Sequence, residues 1–261
     1  MTIRPALIAV AASAALLLAA CSTPSAKPTA TQTADSLTGS LTVVAAASLT
    51  EVYGDLVARF QKAHPHVAVT EIFGGSSALA AQIVQGAPAD VFATANEATM
   101  KTVTDANLAD ETPVVYATNV LTLVVPPTNP AHVTTVADLA KSGVKVALCD
   151  KTVPCGSAAI TLLAAEHLTV TPVTLETDVK AVLTKVELNE VDAGLVYVTD
   201  AKSAGNKVKQ LAVPDAANVI NRYPIVVLAG STNKAAARAF QSFVLSTTGL
   251  TALKNAGFGA P

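Results

Sequence analysis

Leu41-Thr42-Val43-Val44-Ala45-Ala46-Ala47-Ser48 is a nearly unbroken apolar run closed by a serine, and Leu49, Val52, Leu56 and Phe60 follow it at helical spacing. An apolar run without alternation marks a strand buried on both faces, whereas a 3.6-residue period marks a helix with one buried face. Pro65 follows the end of that helix, and residues 67–73 read as a second strand. Gly74-Gly75-Ser76-Ser77 turns into a helix that runs through Leu79 and Ile83 to Gly86. Residues 90–95 are a third strand and 97–106 a helix. The same rhythm resumes with strands at 121–125, 144–149, 193–198, 208–213 and 225–228, and helices at 136–141, 157–167 and 179–188. Two more helices close the chain. Strands rich in β-branched residues alternating with helices predict an α/β fold with mainly parallel sheet. No repeat of solenoid period interrupts it.

The rest of the chain frames this folded part. Its 261 residues carry 17 Lys+Arg against 19 Asp+Glu, a formal net charge of −2. That balance lacks the basic stripe of a nucleic-acid-binding protein. Residues 6–20, after Arg4, are apolar except for Ser13. A spanning helix needs about 20 apolar residues, so this shorter run reads as the core of a signal peptide at 1–20. Leu18-Ala19-Ala20-Cys21 resembles a bacterial lipobox, with cleavage before Cys21 and lipid on its thiol. The plainer reading is an ordinary secretory signal with a chance cysteine. Two acyl chains there would give stable anchoring on the outer face of the cell membrane. Ser, Thr, Pro and Ala dominate up to Ser40, so 21–40 is expected to be a lipidated cysteine and a flexible tether spanning about 25 Å. In an exported protein the other two cysteines, Cys149 and Cys155, are expected to form a disulfide. His64, His66, His132 and His167 form no cluster with soft ligands, so no metal site is expected.

The serines share one placement. Ser48 and Ser76 each end a strand and precede a helix, Cys155-Gly156-Ser157 does the same, and Thr177-Asp178 opens the helix that begins with Val179. In open parallel sheets such loops gather at the carboxyl ends of strands, where ligands bind. Each helix start offers free N–H groups and a positive dipole end, so several facing one cleft make an anion site. Taken singly, a serine before a helix is commonly just a cap, and Tyr197 after Leu195-Val196 a core residue. Composition and spacing reach an anion cleft and stop there.

At these residues the chain resembles the periplasmic molybdate-binding proteins of ABC transporters. The resemblance rests on Ala45-Ala46-Ala47-Ser48-Leu49-Thr50, on Gly75-Ser76-Ser77-Ala78-Leu79, and on Gln85-Gly86-Ala87-Pro88-Ala89-Asp90-Val91-Phe92. Ala193-Gly194-Leu195-Val196-Tyr197-Val198-Thr199-Asp200 and Tyr223-Pro224-Ile225 extend it, and it runs from Leu41 to Phe258. It implies a two-lobed, type II periplasmic-binding-protein fold. Each lobe would be a mainly parallel sheet flanked by helices, with the ligand in the cleft between them. Lobe 1 would comprise 41–118 and 224–261, lobe 2 would comprise 119–223, and the hinge would lie near Asn119 and Tyr223. By position, Ser48 and Ser76 would donate hydroxyl and backbone N–H, Cys155 and Val179 backbone N–H, and Tyr197 its hydroxyl. The departure is Cys155, where such proteins often have alanine; a disulfide to Cys149 would pin that loop.

The implied role is an exported, monomeric lipoprotein that captures molybdate or tungstate and delivers it to a membrane permease, without a cofactor and without catalysis. None of the five contacts is charged, so the dianion would be held by neutral donors and helix dipoles. Hydrogen bonds to a charged acceptor contribute about 1.5–3 kcal/mol each. A donor-only shell also rejects phosphate, which keeps a proton that needs an acceptor. Sulfate or another oxyanion is the alternative ligand. The alternative of another class is an exported hydrolase built on a Ser-His-Asp set, although no Gly-x-Ser-x-Gly elbow surrounds Ser48 or Ser76.

Overall fold

The structure, a computed structural model, describes residues 37–261. The expected signal peptide, Cys21 and the tether as far as residue 36 lie outside the described residues. β1 (Gly39–Ala46) begins two residues earlier than its apolar run, because Gly39 and Ser40 already pair with Val67 and Ala68.

One five-stranded sheet contains β1, β2 (Val67–Gly74), β3 (Val91–Ala93), β4 (Val114–Asn119) and β10 (Asn221–Val227), in the order β2-β1-β3-β10-β4. The other contains β5 (Leu121–Val125), β6 (Val146–Cys149), β7 (Thr174–Glu176), β8 (Ala193–Tyr197) and β9 (Lys209–Leu211), in the order β7-β6-β8-β5-β9. In the first sheet only β10 is reversed: it pairs antiparallel with β3 and β4, while β1 pairs in parallel with β2 and β3. In the second only β5 is reversed, against β8 and β9, while β6 runs parallel to β7 and β8. The expected parallel bias therefore holds for four strands of each sheet. The reversed strand is in each case the first one formed after the chain crosses from the other sheet. β4 passes to β5 through Val120 alone, so the chain moves straight from one sheet into the other.

Helices α1 (Thr50–Ala63), α2 (Ser76–Val84), α3 (Glu97–Asp105), α7 (Lys234–Val244) and α8 (Thr247–Ala256) pack on the first sheet. α4 (Pro154–Ala165), α5 (Val179–Glu187) and α6 (Val198–Ala204) pack on the second. β1 shows why its run is unbroken: Leu41, Val43 and Ala45 face the main core, while Val44 turns to a second cluster with Leu79, Ile83, Phe92 and Val226. Val52, Leu56 and Phe60 are the buried stripe of α1, and Phe60 meets Phe240 of α7 edge to face.

Three elements escape the sequence reading. β4 and β7 lie next to proline, threonine and glutamate residues that dilute their apolar pattern, and α6 is a short helix that follows β8 without a break. The helix expected at 136–141 is a 3-10 turn, Val136–Ala140. The helix expected from 157 starts three residues sooner, at Pro154, where a residue without an N–H is well suited to the first helical position.

Candidate functional site

Ser48, Ser76, Cys155, Val179 and Tyr197 line a single cavity, completed by Ala46, Ala47, Gly74, Gly75, Ala95, Val153, Pro154 and Asp178. The first sheet supplies the ends of β1 and β2 and the residues after β3. The second supplies the β6–α4 loop, the start of α5 and the end of β8. All are carboxyl ends of strands, as the topology of open α/β sheets requires. The cavity is small, about 10 Å³ measured at the centre of a water-sized sphere. That is about the room one water molecule needs.

The serines are not helix caps. Ser48 lies within the 3-10 turn Ala47–Leu49 that precedes α1, and its hydroxyl is 2.9 Å from the Tyr223 hydroxyl. Ser76 is the first residue of α2, whose cap is Gly75; its Oγ accepts from the Ala95 N–H at 3.1 Å. With its oxygen so engaged, the Ser76 proton is left to donate elsewhere. A similar bias acts on Ser48. The Asn119 amide nitrogen stands 3.5 Å from the Tyr223 oxygen, which favours a Tyr223 proton directed at Ser48 and a Ser48 proton directed away.

Cys155 is the second residue of α4 and Val179 the first of α5. Their N–H groups fall in first turns, where no intrahelical acceptor exists and the dipole is positive. Cys155 and Cys149 form the expected disulfide, with Cα atoms 5.7 Å apart. Asp178 caps α5 by accepting from Ala181 N–H at 3.0 Å. It is the one ionisable carboxylate of the cavity wall, which has no Lys, Arg or His among its described residues.

Tyr197 is fully buried; the Tyr223 hydroxyl and the Asn221 side chain are the polar groups beside its hydroxyl, and neither meets it with hydrogen-bond geometry. Burial pushes the Tyr197 phenol well above its usual range, so it remains protonated and able to donate. An unpartnered buried hydroxyl is costly in a core, and sensible where a ligand oxygen completes it.

The two sides of the cavity touch. Ser77 Oγ donates to the Thr152 carbonyl at 2.6 Å, and a Cβ on Gly75 would stand 2.2 Å from the Thr177 carbonyl oxygen. The sequence reading missed Gly75, Ala95, Asn119, Asp178 and Tyr223 as parts of the site. Tyr223 and Asn119 were visible only as hinge markers, and the close approach of Gly75 to Thr177 has no local signature. Among the described residues no group of three or more His, Cys, Asp or Glu could hold a metal ion, and no helix is long and apolar enough to cross a membrane.

Residues 41–259 match the profile of the bacterial extracellular solute-binding proteins. The chain is 41% identical over 222 residues to the molybdate-binding protein ModA of Mycobacterium bovis, covering 85% of each chain. Among solved structures, the Azotobacter vinelandii periplasmic molybdate-binding protein superposes with a TM-score of 0.69 at 22% identity, over 85% of this chain and 99% of that one. The sulfate-binding protein SubI of Mycobacterium tuberculosis superposes with a TM-score of 0.73 at 22% identity, over 84% of this chain and 86% of that one. At such identity the last two speak to the fold alone.

Proposed function

The chain belongs to the bacterial extracellular solute-binding protein family, and from that premise we propose that it captures molybdate, and tungstate equally, for delivery to an ABC permease. The observation that carries the reading is the convergence of uncharged donors on one cavity. These are the Ser48 and Ser76 hydroxyls, the first-turn N–H groups at Ser76, Cys155 and Val179, and the unpartnered Tyr197 hydroxyl. A fully deprotonated tetrahedral dianion satisfies all of them at once, and the three helix dipoles add attraction without a counter-cation. Identity to ModA supports molybdate over other oxyanions.

In this reading residues 41–118 and 224–261 form one lobe and 119–223 the other, with the hinge at Asn119 and Tyr223. The contacts between the two sides correspond to the closed, ligand-holding form. The chain is an exported monomer, tethered through a lipid on Cys21. It works as a binding protein, without a cofactor of its own.

Titration calorimetry of the purified protein with molybdate, tungstate, sulfate and phosphate tests the assignment. Molybdate and tungstate are expected to bind with similar strength and to exclude phosphate. Saturation at one hundred times Kd should add about 2.7 kcal/mol to stability. Tight sulfate binding with no response to molybdate would replace the ligand, and absence of all oxyanion binding would overturn the reading.

A further inference from the structure

Three charged residues follow the site residues along the chain and meet one another outside the cavity lining. Glu51 lies three residues after Ser48, Lys180 one after Val179, and Asp200 three after Tyr197. Lys180 Nζ donates to both carboxylate oxygens of Glu51, at 2.7 and 2.9 Å, and to Ser203 Oγ at 3.1 Å. It stands 3.2 Å from Asp200 Oδ1. Glu51 belongs to α1 on the first sheet, Lys180 to α5 and Asp200 to α6 on the second. One ammonium thus ties the two sides together and faces a carboxylate with no exposed surface.

A buried carboxylate so near an anion site needs an explanation. Asp200 Oδ2 accepts from the Tyr197 backbone N–H at 3.1 Å, so it fixes the strand end that presents the Tyr197 hydroxyl. Its negative charge would, unopposed, repel a dianion through a low-dielectric wall. The groups that act on it are Lys180 of α5, Glu51 of α1, the N–H and the phenol of Tyr197 at the end of β8 and the phenol of Tyr223 in β10. Lys180 is the sole cation among them. Burial pushes the Asp200 carboxyl up to about 6, against the opposing pull of Lys180 and the Tyr197 N–H.

We propose that Lys180 is a positioning and affinity-determining residue for the bound oxyanion. It screens Asp200 from the ligand and, through Glu51, clasps the two sides over it. The proposal rests on the oxyanion reading above. It adds a charged layer, one to three residues along the chain from the neutral donors, that together with Asp178 of the cavity wall sets the charge the ligand meets. It also predicts that release is governed by a link at which no ligand atom is touched.

The test is calorimetry and stopped-flow release of molybdate between pH 6.5 and 8.5, with wild type, K180M, K180R and E51Q. Wild-type affinity should be nearly flat across this range. In K180M the Asp200 carboxyl loses its cation and titrates higher. Affinity should then fall with rising pH as Asp200 ionises, reaching a loss of about tenfold or more at pH 8.5. K180R should restore a flat profile. E51Q leaves Asp200 compensated and alters a half-exposed surface carboxylate, so it should fold normally and release faster without acquiring pH dependence. A K180M protein with wild-type Kd across the range overturns the proposal, even if its melting temperature drops, as does an E51Q protein with unchanged release. If K180M does not fold, E51Q alone decides. Wild-type protein that binds no oxyanion overturns the functional reading and this proposal with it.

Discussion

Tyr197, Ser76 and Ser48 are alike as proposed ligand donors and unlike as members of the fold. Tyr197→Phe removes a hydroxyl that no protein group satisfies. It should therefore leave the ligand-free protein as stable as before or slightly more so, while molybdate binding weakens by about 1.5–3 kcal/mol. Ser76→Ala should lose a similar amount of binding and also destabilise the fold by about 1–3 kcal/mol, because the Ala95 N–H is left buried without an acceptor. Ser48→Ala removes the acceptor of the buried Tyr223 proton, which the Asn119 amide N–H, itself a donor, does not replace, so its stability loss should be of the same order as that of Ser76→Ala. Denaturant titration of the ligand-free variants, set beside calorimetric Kd values, separates these outcomes. Equal stability losses in all three would contradict the hydrogen-bond assignments.

At the scale of elements, the start of α4 is held in three ways. Pro154 occupies the first helical position, the disulfide joins Cys155 to the end of β6, and Gly156 lies so close to the preceding loop that a Cβ would stand 1.9 Å from the Asp150 carbonyl oxygen. The result is a rigid turn that offers the Cys155 N–H. Replacing both Cys149 and Cys155 by alanine opens a loop of six residues' separation. The loss in stability should be about 2–3 kcal/mol by loop entropy. Binding should weaken as well, since the donor direction is no longer enforced. Denaturation and calorimetry of the double variant measure both. Unchanged affinity would mean that the helix start holds itself without the disulfide.

For the whole molecule, the proposed donors are divided between two sheets joined by Val120 and by residues 212–220. Full coordination therefore requires the two sides to approach. Gly75 is where that approach is tightest, and its φ of −61° is one that alanine adopts freely. Gly75→Ala is accordingly expected to fold and melt like the parent while its Cβ blocks contact with Thr177. Small-angle scattering should show compaction with molybdate in the parent and none in the variant, with binding at least tenfold weaker. Compaction of Gly75→Ala to the parent's radius would refute the closed geometry.

Much of this was legible in the chain. The unbroken run at 41–47 and the stripe of Val52, Leu56 and Phe60 declare a two-face-buried strand and an amphipathic helix, because burial alone sets those patterns. Strand-end loops gather wherever parallel strands do, so the residues pointed to an anion cleft, and the five expected donors came from the family resemblance carried over by position. The sequence determined the alternation, the parallel bias and the strand-end loops that line the cavity. Tertiary structure decided the rest. It decided that β10 and β5 run backwards, since a strand's direction is set by the distant partners it pairs with, β3 and β4 for one and β8 and β9 for the other. It decided that Ser76 is oriented by Ala95 rather than capping its helix, and that Ser48 is paired with Tyr223, 175 residues away. It also decided that Glu51, Lys180 and Asp200 meet. Local patterns report what a residue buries, but a hydrogen bond or an ion pair depends on which distant atom the fold delivers to within about 3 Å.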